Sequence, residues 1–191
     1  MAVPPLELEK SPPLSVEEFL ELARRQGWDE DTRVELLDGE IVWMSPIGDP
    51  HAACVSRLNR LFTRQYADDV ALVSPQNPVR VSQIDLPQPD LALLKPRADY
   101  YSSSTPRPED VLVLVEVADT TVRTDLGRKA RIYAAAGVQE YWVIDLNSRS
   151  IYVHRQPSGG AYAARAVLSN SDHLSAQFAP DVSFTADEIL G

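Results

Sequence analysis

A mixed α/β fold, with a central sheet flanked by helices, is what this 191-residue sequence predicts. Three observations carry the prediction. Val111-Leu112-Val113-Leu114-Val115 is an unbroken apolar run, resumed by Val117 after Glu116, as in a strand buried on both faces. A helical pattern and a second apolar run, Tyr141–Ile144, follow it, and strand–helix–strand in that order makes a parallel crossover. Elsewhere the strand-like segments are short and bounded by turn residues, which favours antiparallel pairing.

The elements read as follows. Residues 1–14 are rich in proline and form a disordered or extended N-terminal arm, with a single domain over 15–191. Ser15 and Glu18 have the spacing of a capping box at the start of a helix, and Phe19, Leu22 and Ala23 give that helix an apolar side. Val34–Leu37 and Ile41–Met44 flank Asp38-Gly39, the pair a type I′ hairpin turn prefers. A second helix starts near Pro50 with Val55, Leu58, Leu61 and Phe62 on its stripe. Short strands are expected at 71–73, 78–81 and 90–94, then a surface loop over 95–110. After strand 111–118 a helix runs from about Thr124 to Ala136 and stops at Gly137. Late strands at 151–154 and 162–167 enclose a Gly-Gly turn, and Thr185 with Glu188 caps a short last helix.

Hydrophobic content of 44% and charged content of 24% are ordinary for a globular domain, and the length allows a real core. There is no apolar stretch near the roughly 20 residues that span a bilayer, nor a secretory pattern at the start, so a cytoplasmic location is expected. The lone Cys54 excludes an internal disulfide and a cysteine-based zinc site, and His51, His154 and His173 lack zinc-ligand spacing. A net charge of −10 argues against tight non-specific nucleic-acid binding, which draws on basic surface.

Glu116 is the sharpest candidate. It shares a strand face with Leu112 and Leu114, and an ionised carboxylate there needs a cation or hydrogen bonds. Asp90, fixed by Pro87 and Pro89, opens the apolar run 91–94, where an ordinary turn aspartate is the competing reading. Lys129 falls on the helix face of Leu126, Tyr133 and Ala136, and a snorkelling lysine is its plain alternative. Arg128 and Arg131 point elsewhere, toward solvent. Glu35 is preferred over Glu40 as a fourth acid because two leucines follow it. His51 reads as a surface residue at a helix start, and Gln88 as a weak assistant to Asp90. Two acids and a lysine suit Mg²⁺ or Mn²⁺ and in-line phosphodiester hydrolysis, in which a lysine orients water or neutralises charge on the phosphate.

From Val34 to Arg155 the chain also resembles the Uma-type family of restriction-endonuclease-like proteins, in the PD-(D/E)XK nuclease superfamily. The matching segments are Val34–Val42, Ser45-Pro46 with His51, Pro87-Gln88-Pro89-Asp90, Glu109–Val117, Asp125, Lys129, Tyr133, Gly137 and Glu140–Asp145. The resemblance implies a restriction-endonuclease-like sheet with acids at its active edge. It also implies Asp90 and Glu116 as metal ligands, the Val117 carbonyl as a further ligand, and Glu35 as a supporting acid. The superfamily pattern has lysine two residues after the second acid. Ala118 stands there, and Lys129 takes the place on the next helix. The implied activity is a Mg²⁺- or Mn²⁺-dependent endonuclease acting on nucleic acid, DNA before RNA.

Two other classes compete. A catalytically silent nuclease-fold module for a protein or small ligand suits the acidic balance, and a two-carboxylate sugar hydrolase needs neither metal nor lysine. A homodimer that gathers Arg60, Arg64, Arg80, Arg97 and Arg107 into a basic groove is expected to offset the acidic charge.

Overall fold

The computed structural model describes residues 12–29 and 32–191. Helix α1 (Val16–Gln26) begins at Ser15, whose hydroxyl accepts from Glu18 N–H while Glu18 returns to the Ser15 backbone. It ends at Gly27 in the left-handed region. Strands β1 (Val34–Leu37) and β2 (Glu40–Trp43) form the expected hairpin, with Asp38 at φ 50° and Gly39 at φ 71°, as a type I′ turn requires. Gly39 has a second reason to be glycine: a Cβ there would collide with that of Pro13. Of the expected N-terminal arm, residues 1–11 lie outside the described residues. Leu14 is docked, its N–H donating to Gly39 O at 2.9 Å.

Helix α2 (Asp49–Gln65) leads to the main sheet, built from β3 (Leu72–Pro75), β4 (Leu91–Leu94), β5 (Val111–Ala118), β6 (Glu140–Asp145), β7 (Ser150–Ser158) and β8 (Ala161–Leu168) in that spatial order. β5 and β6 are parallel and the other neighbours antiparallel, so the sheet is mixed as expected. The crossover from β5 to β6 is three pieces: α3 (Val122–Thr124), a π-helical turn (Asp125–Lys129) and α4 (Ala130–Ala135). A short helix α5 (Ala186–Leu190) closes the chain on its Thr185–Glu188 capping box.

Both faces of the sheet are covered. Val113, Val115 and Val117 face a core with Cys54, Leu58 and Phe62 of α2 and Ile189 of α5. Leu114 and Ala118 face a second core with Ile132 and Tyr133 of α4 and Leu37 of the hairpin. Burial on both sides is why β5 is an apolar run rather than an alternating one. Its single charged residue, Glu116, points into the second core.

Three expectations are corrected. Residues 78–81 are not a strand, because their N–H groups turn to loops: Val79 to Pro87 O, Arg80 to Pro106 O and Val81 to Asp85 O. The helix expected from Thr124 to Ala136 starts at Val122 and opens into the π turn. Arg128 and Arg131 do not point away to solvent alone. Both grip Asp38 at the hairpin tip, at 2.9 and 2.6 Å, and Arg128 also reaches Glu40 at 2.8 Å. That clasp ties the hairpin carrying Glu35 to the crossover carrying Lys129. Asp38→Asn keeps the turn geometry and removes the charge. It is expected to lower stability by roughly 0.5–1 kcal/mol, less in high salt, as measured by thermal melts at two ionic strengths.

Candidate active site

The strand register brings the two acids together. Leu91 pairs with Val115 across antiparallel β4 and β5, and one further step carries Asp90 to the level of Glu116. Asp90 Oδ2 accepts from Val117 N–H at 2.8 Å and lies 3.0 Å from His51 Nε2. Antiparallel pairing on one side of β5 and a helical return on the other thus set one residue of each flank beside Glu116.

The π turn supplies the cation. It widens the crossover helix by one residue, a feature frequent at functional sites, and carries Asp125 and Lys129, both buried. Lys129 Nζ donates to Glu35 Oε1 at 2.8 Å and to Glu116 Oε1 at 3.0 Å. Tyr133, one turn on, donates its hydroxyl to the same Glu116 oxygen at 2.8 Å. Glu35 Oε1 also accepts from Gln88 N–H at 2.7 Å. The expected helix face is therefore real in its essential pair, since Lys129 and Tyr133 converge on one carboxylate.

Electrostatics follow from burial. Desolvation pushes the Glu116 carboxyl well above the usual carboxylate range, with Lys129 pulling the other way. Burial works against the Lys129 ammonium too, but Glu116, Glu35 and Asp125 outweigh it and hold the amine above an ordinary lysine. Lys129 stays charged at neutral pH. Two of its three N–H donors are committed, and the third remains for water or a phosphate oxygen.

Asp125 is pushed up to about 6, first by burial, with Lys129 and the Thr121 hydroxyl opposing. An acid whose native value exceeds its unfolded value of 3.8 holds its proton longer when folded, so stability falls as pH rises from about 4 to about 6. Asp125→Asn is expected to remove that loss. The variant should gain on the order of 1–3 kcal/mol over the parent at pH 8 and nothing below pH ~4, as read by urea melts across pH.

Glu35, His51, Asp90, Glu116, Val117, Asp125 and Lys129 all line one cavity of about 410 Å³. Val42–Gly48, which begins at the cross-strand partner of Glu35, lines it too. Of the sequence candidates, Asp90, Glu116, Lys129 and Glu35 come together here. Glu40 stays on the surface, and Gln88 contributes a backbone N–H to Glu35 rather than a side chain to Asp90. Val117 meets Asp90 through its N–H. His51 corrects the surface reading: it turns inward to Asp90, its side chain only 15% exposed. The signal for it was a histidine in the first turn of a helix that packs over β5. None of Arg60, Arg64, Arg80, Arg97 and Arg107 lines the cavity within a single chain. Arg80 and Arg97 are instead paired with Glu17 and Asp99.

A hard divalent cation such as Mg²⁺ needs one or two carboxylates and keeps several waters. Asp90 and Glu116 fit that demand. Each uses one oxygen within the protein, and their second oxygens, Asp90 Oδ1 and Glu116 Oε2, accept no hydrogen bond among the described residues. Among the described residues no group of three or more His, Cys, Asp or Glu side chains is placed to hold a metal ion.

A mixed sheet between helix layers, with two acids and a lysine at one end of its central strands, has the architecture of a nuclease-like fold. A solved structure described as a "putative nuclease belonging to DUF820", from Anabaena variabilis ATCC 29413, superposes with a TM-score of 0.73 over 93% of this chain and 98% of that one. At 15% identity this likeness shows the fold. The chain belongs to the Uma2 family, described as "Putative restriction endonuclease", whose model matches residues 16–187. No curated protein matches the chain. Among the described residues no helix is long and apolar enough to cross a membrane.

Proposed function

We propose that this chain is a Mg²⁺- or Mn²⁺-dependent endonuclease that hydrolyses phosphodiester bonds of nucleic acid, DNA in the first instance. One observation carries the reading: the buried Lys129 ammonium bridges Glu35 and Glu116 in the same cavity as Asp90. Asp90 and Glu116 are the residues that would hold the cation, with the Val117 backbone beside them. When bound, the cation would polarise a phosphoryl oxygen and make a water more acidic. Lys129 uses its remaining donor to orient the attacking water or to meet charge growing on the phosphate. Glu35 and Tyr133 fix that amine and Glu116 in place. His51 Nε2, 3.0 Å from Asp90 Oδ2, helps hold that carboxylate in place.

The test is cleavage of single- and double-stranded oligonucleotides with Mg²⁺, Mn²⁺ or EDTA. Cation-dependent products that vanish in EDTA support the reading. No cleavage of any nucleic acid by well-folded protein overturns it. A second reading, a catalytically silent nuclease-fold module, is favoured by the net charge of −10, which opposes binding of a polyanion. It predicts a folded protein that cleaves nothing in either metal.

A further inference from the structure

Arg33 is the cationic residue of the cavity that nothing above employs. Lys129 and Arg33 are the lysine and the arginine among its lining residues, and two of the three Lys129 donors are committed to Glu35 and Glu116. Arg33 has no carboxylate partner among the described residues. Its Nη2 has only the weak acceptor Met44 Sδ, at 3.9 Å. Its Nε–H is shut away from solvent with no hydrogen-bond partner among the described residues. A guanidinium in that condition is costly to leave unsatisfied, and its fork matches the oxygens of a phosphate.

Its position is also specific. The bond from Met44 N–H to Arg33 O, 3.0 Å, extends the β1–β2 ladder by one step. Side chains alternate along a strand, so Arg33 stands on the same hairpin face as Glu35, the face that meets Lys129. Around it Glu35, Asp90, Glu116, Asp119 and Asp125 make the cavity rich in acids, so a phosphate entering it gains from every cationic group on the wall.

We propose that Arg33 is the phosphate-binding residue of this site, gripping one backbone phosphate of a single-stranded substrate next to the scissile bond. This rests on the nuclease reading and narrows its substrate. A duplex carries about one charge per 1.7 Å and is held through many phosphates. The cavity offers one uncommitted guanidinium, and none of Arg60, Arg64, Arg80, Arg97 and Arg107 joins it within the chain. One phosphate contact suits a flexible single strand whose nucleoside lies on the apolar wall formed by Val42, Met44, Pro46 and Ile47.

The test uses the full chain with Asp90→Asn to prevent cleavage, and a fluorescein-labelled oligothymidylate in Mg²⁺. Arg33→Gln is expected to weaken binding about tenfold and to reduce the slope of log affinity against log salt by about 0.7, one phosphate on a single strand. Arg33→Lys should recover the slope and part of the affinity. Unchanged affinity and slope in Arg33→Gln overturn the proposal while leaving the nuclease reading intact. Tighter binding of a matching duplex overturns the single-strand assignment.

A second measurement needs no variant that must fold. In ¹⁵N–¹H spectra of the parent protein, the Arg33 Nε–H signal should shift on adding inorganic phosphate, and further with oligothymidylate. A signal that moves with neither overturns the proposal. A shift with phosphate in a protein that neither binds nor cleaves any oligonucleotide keeps Arg33 as an anion site, but overturns both its single-strand assignment and the nuclease reading.

Discussion

Lys129→Met is expected to destabilise the folded chain by about 3–5 kcal/mol near neutral pH, the cost of leaving buried charge without its partner. Methionine fills the space of the lysine stem, so packing is largely kept. What is lost is the cation between Glu35 Oε1 and Glu116 Oε1, at 2.8 and 3.0 Å. Glu116, already raised by its burial, is then driven further toward its neutral form. The sign of the pH dependence follows. Acids with native values above their unfolded ones contribute stability at low pH and lose it as pH rises through the carboxylate range and beyond. The variant should therefore approach the parent at pH 5 and fall furthest behind at pH 8. Urea melts at the two values check this. A variant that matches the parent at pH 8 would show that Lys129 is not the counter-charge of the site.

Asp90→Asn is expected to lower the rate of cleavage at least about a hundredfold, the scale of removing one preorganised electrostatic group from an active site. Under the proposed function the carboxylate would hold the cation for the reaction rather than bind substrate, so the fall should lie in kcat rather than KM. The fold should survive. Asparagine still offers an oxygen to Val117 N–H, which Asp90 now holds at 2.8 Å. Steady-state kinetics beside a thermal melt separate the two effects. Full activity in a well-folded Asp90→Asn protein would remove Asp90 from the reaction.

Much of this centre is legible in the residues because its parts violate local patterns. Glu116 stands out as a charge in a strand buried on both faces, and Lys129 as a charge on an apolar stripe. Their meeting follows from topology, since a short crossover folds a helix back over the strand it leaves. Asp90 is less legible: the Pro-Gln-Pro-Asp segment looks like any strand entry, and only the β4–β5 register brings it to Glu116.

What stays hidden is set by long-range contacts. His51 lies in a first helical turn that a surface histidine would occupy equally well, and its bond to Asp90 spans 39 residues of chain. The hold of Arg128 and Arg131 on Asp38 crosses some 90 residues and leaves no local periodicity. The π turn has no compositional mark either, since Asp125–Lys129 reads as helix by spacing alone. Residues 78–81 look like a strand, yet no neighbouring strand presents an edge to them. Arg33 precedes a hairpin, where an exposed arginine is ordinary. Only the cavity shows that it lacks a partner.

The central claim is that Asp90 and Glu116 share one divalent cation beside Lys129. Crystals soaked in Mn²⁺ and measured for anomalous scattering test it most directly. The account predicts a single peak in the cavity with oxygens of Asp90 and Glu116 at about 2.1–2.2 Å and waters completing six-fold coordination. A fully soaked crystal with no manganese in that cavity, Lys129 still clamped between Glu35 and Glu116, would contradict it.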